Sequence, residues 1–167
     1  MIQIILLVCL ILLNAFFAAT EMAFVSLNDT KISVKAKEGD KKYKKIEKML
    51  KSPSKFLATI QIGITLAGFL SSAFASDVFA SQLAVVLFNL THIFSTVVWQ
   101  NISIVLITII LSYFTLIFGE LVPKRIAMEN AETFSKFSIS IISALAKVMS
   151  PFVKFLTWST DVVSKLF

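Results

Sequence analysis

Apolar and polar residues alternate along this chain in long blocks. The first block, "MIQIILLVCLILLNAFFAATEMAFVSL", stays apolar past ~20 residues, the length that crosses a bilayer as a helix. It has no charged leader region, so it predicts a retained membrane helix over residues 2–27 with its N-terminus outside, not a secretory signal. A second block, "SKFLATIQIGITLAGFLSSAFASDVFA", follows Pro53 and predicts a helix over residues 54–78, with Ser52 or Ser54 as its cap. A third runs over residues 96–126 and closes on "IFGELVPKRIA".

The segments between them read differently. From Asn28 to Lys51 the chain is polar, but Ile46, Met49 and Leu50 make an i, i+3, i+4 stripe. That predicts a short helix against the cytoplasmic headgroups, with Gly39-Asp40 as a turn; for the first half a solvated charged loop fits equally well. Asp77 to Asn101 has no basic residue and is expected outside, dipping into the interface, with Trp99 as a belt residue. Its "NLT" and "NIS" triplets matter only in a secretory pathway. The tail "SISIISALAKVMSPFVKFLTW" is apolar, yet Lys136, Lys147, Lys154 and Lys165 recur around it and Pro151 interrupts it. It predicts an amphipathic helix along the cytoplasmic interface and not a fourth span. The expected architecture is an all-α membrane protein: three transmembrane helices, plus juxtamembrane (belt) helices at the cytoplasmic interface over residues 29–51 and 129–167.

Composition agrees. Of 167 residues 57% are hydrophobic and the mean hydropathy is +0.86, against ~45–50% apolar for a soluble domain. The net charge of +6 is unevenly placed: ten of the sixteen basic residues lie in Lys31–Lys55 and six in Lys124–Lys165. Basic blocks between apolar spans follow the positive-inside rule and do not point to nucleic acid. They place the C-terminus in the cytoplasm of a multi-pass protein of the cell membrane. Cys9 and His92 stand alone, so neither a disulfide framework nor a Cys/His metal site can form within one chain. They read as an ordinary buried thiol and an ordinary loop histidine. No nucleophile–base constellation or cofactor loop suggests an enzyme.

The chemistry lies in a few polar residues within the spans. Glu21 and Glu120 are acidic residues near the inner ends of their helices, and such groups usually face a cavity, a partner or an ion path. Asn14, Glu21 and Asn28 recur every seven residues, with Ala15, Ala18 and Ala19 nearby to let another helix approach; Ser26 lies off that stripe, at the helix end. Gln61, Thr65, Gly68 and Ser72 line one face of the second span, and Thr108, Ser112, Thr115 and Gly119 one face of the third. Close helix packing explains small residues too. Pro123 has no N–H for the carbonyl of Gly119, so that carbonyl is expected to come free beside the Glu120 carboxylate. A carbonyl and a carboxylate side by side suit a hard cation. Magnesium, sodium, calcium and an organic polyamine all remain open on this reading. Lys124 and Arg125 anchor the helix end and can pair with Glu120 or Glu129.

"LNAFFAATEMAFVSLN", "LATIQIGITLAGFLSSAFA" and "FGELVPKRIA" together resemble the transmembrane domain of the CorC/CNNM proteins, over essentially the whole chain. The resemblance implies Mg²⁺ export, with Na⁺ coupling in some members, by a homodimer of three-span subunits with a belt-like juxtamembrane helix. Cytoplasmic CBS-pair and CorC domains are expected to lie outside this chain, an isolated membrane domain of bacterial type. The resemblance also implies a dehydrated cation site. By motif it carries Ser26, Gly63 (the start of a break in the second span), Gly119 and Glu120, with Pro123 shaping the site. Ile64 and Gly68 stand where many members have asparagines, leaving Thr65, Ser71 or Ser72 to replace the lost amide oxygen. Related subgroups are linked to polyamine export, which is the alternative of the same fold. A non-transporting anchor or sensor for the cytoplasmic domains is the third reading.

Overall fold

A computed structural model describes residues 2–165, Asp77 by its backbone alone. The last two residues of the expected tail, 166–167, lie outside the described residues. No strand occurs among the described residues. Three helices are long and apolar enough to cross a membrane: Ile2–Val25, Pro53–Thr91 and Thr96–Glu129. The helices are α1 (Ile2–Val25), α2 (Asp29–Lys37), α3 (Lys41–Leu50), α4 (Pro53–Ala75), α5 (Ser81–Thr91), α6 (Thr96–Leu116), α7 (Val122–Glu129), α8 (Ala131–Val148) and α9 (Ser150–Ser164). Two π-helical turns, Ser76–Ala80 and Ile117–Leu121, join α4 to α5 and α6 to α7.

The chain forms two compact units. The first holds residues up to Ala18 and Ile64–Pro123. In it α5 packs against α6, as does the π-turn Ser76–Ala80. Small side chains permit this close approach: Ala75, Ala80, Ala84 and Ser103 are buried. The segment 77–101, expected as an external stretch dipping into the interface, is helical except around residues 92–95. His92 ends α5 in the left-handed region (φ 52°), its N–H donating to the Phe88 carbonyl at 3.0 Å. Its ring lies 5.4 Å from that of Phe88. Cys9, expected to be buried, is exposed on the apolar face of α1.

The second unit holds Ala19–Gly63 and residues from Lys124 onward. Ala19, Ala23 and Ala127 are buried together, with Phe134 against them, and Phe24 packs on Phe56 with ring centroids 4.4 Å apart. The polar segment after α1 is helical in both halves. Asn28 caps α2, its side chain accepting from the Lys31 N–H at 3.0 Å. Asp40 caps α3, accepting from the Lys42 N–H at 2.8 Å. Gly39, at φ 104°, makes the turn between them, a conformation open to glycine. Ile46 of the predicted stripe is fully buried, and Met49 and Leu50 are half-buried. The single tail helix expected over 129–167 is two helices bent by 70° at Met149. Pro151 accounts for the bend, since it cannot donate to the carbonyl of Lys147.

One carboxylate ties three of these helices together. Glu132, in the first turn of α8, accepts from the ammonium groups of Lys31 and Lys35 on α2 and from the Tyr43 hydroxyl on α3. Lys35 and Lys136 place their ammonium groups 4.9 and 4.8 Å from the Tyr43 ring centroid. Lys136 also faces Asp40 at 3.6 Å, and Ser33 donates to Glu47 at 3.0 Å. The hydrogen bonds from Lys31, Lys35 and Tyr43 hold the Glu132 carboxyl down at about 2, from an ordinary 4.5. Hydrogen bonds to Glu132 and Tyr43 push the Lys35 ammonium up. A lowered carboxylate contributes stability that is complete above its unfolded value and is lost as pH falls through its folded one. Thermal stability in detergent should therefore fall as pH drops from 4.5 to about 2, with Glu132→Gln less stable at pH 6 and lacking that acid slope. Equal melting curves for the two proteins at pH 6 would remove Glu132 from this role.

Candidate functional site: the π-turn before Pro123

The motif "IFGELVPKRIA" does not end its helix. The backbone widens into the π-turn Ile117–Leu121, where the Val122 N–H reaches back to the Ile117 carbonyl, and α7 continues to Glu129. The proline explains the local widening. Its ring cannot sit against the carbonyl four residues back, and a π-turn moves the ladder apart at that point.

The Gly119 carbonyl does leave the helical ladder's usual partner, and it is not left open. The side-chain amide of Asn14 donates to it at 3.1 Å, from α1 to the π-turn. Both residues are buried, Asn14 with 3% exposure. This contact fixes the amide's orientation, because the opposite one would set two oxygens against each other. Asn14 Oδ1 then points away, buried and without a hydrogen-bond partner among the described residues, as is Thr115 Oγ1 one turn before Gly119. Glu120, half-buried, follows directly. The first unit thus gathers a carbonyl, an amide oxygen, a hydroxyl and the carboxylate-bearing residue around one turn of an apolar helix.

The other expected residues are placed as follows. Ser26 is exposed just beyond the end of α1, in the second unit, its N–H donating to the Met22 carbonyl at 3.0 Å. Gly63 also belongs to the second unit, and the break expected there is absent: α4 runs unbroken from Pro53 to Ala75. A glycine alone removes no backbone donor, so the ladder continues through it. Thr65 is exposed and Ser72 half-buried; Ser71 is buried with its hydroxyl donating to the Ala67 carbonyl at 2.8 Å. Glu21 faces Lys124 across 3.3 Å within the second unit, a half-buried ion pair of the two acid–base residues at the inner helix ends. Asn28 leaves the expected Asn14–Glu21–Asn28 stripe, because α1 stops at Val25 and Asn28 caps the next helix. No group of three or more His, Cys, Asp or Glu side chains comes together among the described residues. The partnership of Asn14 with Gly119, 105 positions apart, had no signal in local spacing.

A Cβ at Gly119 would meet Asn14 Nδ2 at 3.2 Å, Thr115 Cγ2 at 3.4 Å and Ile11 Cγ2 at 3.5 Å. The Asn14 amide cannot retreat without losing its bond to the same residue. Gly119→Ala is expected to lower stability by about 1 kcal/mol, the worth of a typical hydrogen bond, despite the better helix propensity of alanine. Gly68→Ala, where nothing lies within 4 Å, is the control and should be neutral or stabilising. Thermal unfolding of both variants checks this, and a Gly119→Ala protein as stable as the control would contradict it.

Comparison with known proteins places this arrangement. The cyclin M transmembrane N-terminal domain (CNNM) matches residues 4–167. A UPF0053 protein of Synechocystis sp. is 35% identical over 95% of this chain and 35% of its own length. UPF0053 protein YrkA of Bacillus subtilis is 30% identical over 99% of this chain and 38% of its own. A Haemophilus influenzae protein named polyamine export protein is 25% identical over 96% of this chain and 36% of its own. The chain spans about a third of the length of the curated relatives it matches. With three membrane-length helices and a family model covering nearly every residue, this chain belongs to the CNNM family, by its transmembrane N-terminal domain.

Proposed function

We propose that the chain is the membrane part of an exporter of Mg²⁺ that works by alternating access, with Na⁺ as a coupling ion. The observation that carries this reading is the π-turn. Pro123 brings no N–H to the Gly119 carbonyl, and the Asn14 amide donates to one of its two lone pairs. Asn14 Oδ1 and Thr115 Oγ1 add oxygens that have no protein partner among the described residues, and Glu120 brings charge. An oxygen-only set favours a hard cation. Ser26, Gly63, Gly119 and Glu120 are each proposed to contact the ion on its way. Asn14, Glu21, Thr65, Ser71, Ser72, Pro123 and Lys124 support them.

In this reading the protein is a homodimer of the cell membrane, N-terminus outside and C-terminus cytoplasmic. The helices within 29–51 and 129–167 then lie along the inner headgroups, and CBS-pair domains complete the full-length protein. A second reading keeps the fold and moves a polyamine, whose ammonium groups also seek carbonyl and carboxylate oxygens. The relative named polyamine export protein supports it, as do Ile64 and Gly68 in place of amide side chains.

Proteoliposomes loaded with Mg²⁺ or putrescine decide between them. Mg²⁺ efflux that falls to background in Glu120→Gln, with the protein still folded and dimeric, is the expected result. Putrescine efflux alone would select the second reading. No flux of either would leave a membrane anchor for cytoplasmic domains, and Mg²⁺ flux unchanged in Glu120→Gln would overturn the cation site proposed here.

A further inference from the structure

Two sets stand out among the lysines of the second unit. Lys31 and Lys35 face Glu132, Lys51 faces Glu47, Lys124 faces Glu21 and Lys136 faces Asp40. Lys45, Lys48, Lys55, Lys147 and Lys154 have no ion pair among the described residues, and all five line one groove of about 1130 Å³. The groove is walled by α3, the first turns of α4, α8 and α9, and Asp161 is the one acidic residue in its lining. Five ammonium groups around one space repel each other unless an anion enters it.

The rest of the lining says which kind of anion. Phe56, Met49, Val153 and Trp158 give the groove an apolar side, and serine and threonine hydroxyls stand among the lysines. A free phosphate would satisfy the cations and leave the apolar side wet; an amphiphile satisfies both. Lys55 lies in the first turn of α4, so the cations sit at the polar end of a membrane-length helix, where headgroups are found. Trp158, 62% exposed, is a residue type that favours that boundary. Basic pockets beside membrane helices are suited to acidic headgroups.

We infer that this groove binds an anionic phospholipid, its phosphate held by the lysines and hydroxyls and its upper acyl chain laid along Phe56 and Trp158. The inference does not depend on which solute is transported.

Quenching of Trp158 by brominated lipids tests it, in a Trp99→Phe background that leaves one tryptophan. Reconstituted into phosphatidylcholine vesicles, the chain should prefer brominated phosphatidylglycerol to brominated phosphatidylcholine, on the order of tenfold. The pair Lys147→Gln/Lys154→Gln should bring that preference to within about twofold of unity. Lys41→Gln/Lys42→Gln, which removes the same charge outside the groove, should leave it intact. If the first pair does not yield helical, monodisperse protein, Lys45→Gln/Lys48→Gln on the opposite wall reads the same contrast. No preference in the parent, or equal loss in the groove and control pairs, overturns the proposal. So does poly-glutamate that shields Trp158 in phosphatidylcholine vesicles and is not displaced by phosphatidylglycerol, which would give the groove to an acidic protein partner.

Discussion

A backbone carbonyl in an apolar helix must have a partner, and Pro123 denies one to Gly119. Inside a bilayer no water is at hand, and an unpaired backbone group costs several kcal/mol. The structure answers twice. It opens the helix into a π-turn, and it brings Asn14 from the first helix to donate to the Gly119 oxygen. The second answer has a cost of its own, because an amide that gives its N–H to one neighbour leaves its oxygen to find another. The buried, unpartnered Asn14 Oδ1 and Thr115 Oγ1 follow from this. A single missing donor therefore accounts for the turn, the buried asparagine and the oxygen-lined surroundings of Glu120.

The second unit meets the opposite problem. Its helices α2 and α3 are rich in lysine and carry few apolar residues, so burial alone gives them weak cohesion. Glu132 compensates by collecting two ammonium groups and a phenol, while the Tyr43 ring accepts two cations on its faces. Charges distributed this way set orientation more than stability, since exposed ion pairs are individually weak. The lysines that face Glu132 are not those that line the groove.

Much of this could be read from residue order. The three membrane-length helices follow from unbroken apolar runs, and the Gly39-Asp40 turn from a glycine beside a capping acid. What could not be read depended on contacts distant in sequence or on the absence of a steric cause. Residues 78–91 lack charge and strong helix breakers, so the helix simply continues into a segment that the missing basic residues placed outside. Gly63 carries a break by resemblance, yet glycine without proline leaves every donor in place. Asn28 fits a heptad with Asn14 and Glu21, but its side chain is better satisfied by the open N–H groups at the start of α2. The Gly119 carbonyl was foreseeable as displaced; its capture by Asn14 was not, because periodicity within a helix says nothing about which other helix will face it.

The π-turn also acts as a phase marker. Such a turn carries one residue more than the α-helix it interrupts, and one residue is about 100° of rotation. Val122 and Pro123 are therefore turned by that angle from where the periodicity of α6 would put them. A deletion of one residue within 117–121 would restore a regular helix and still be ruinous, since it would carry the Gly119 carbonyl away from the Asn14 amide that donates to it. The irregular backbone sets which oxygen the first helix meets.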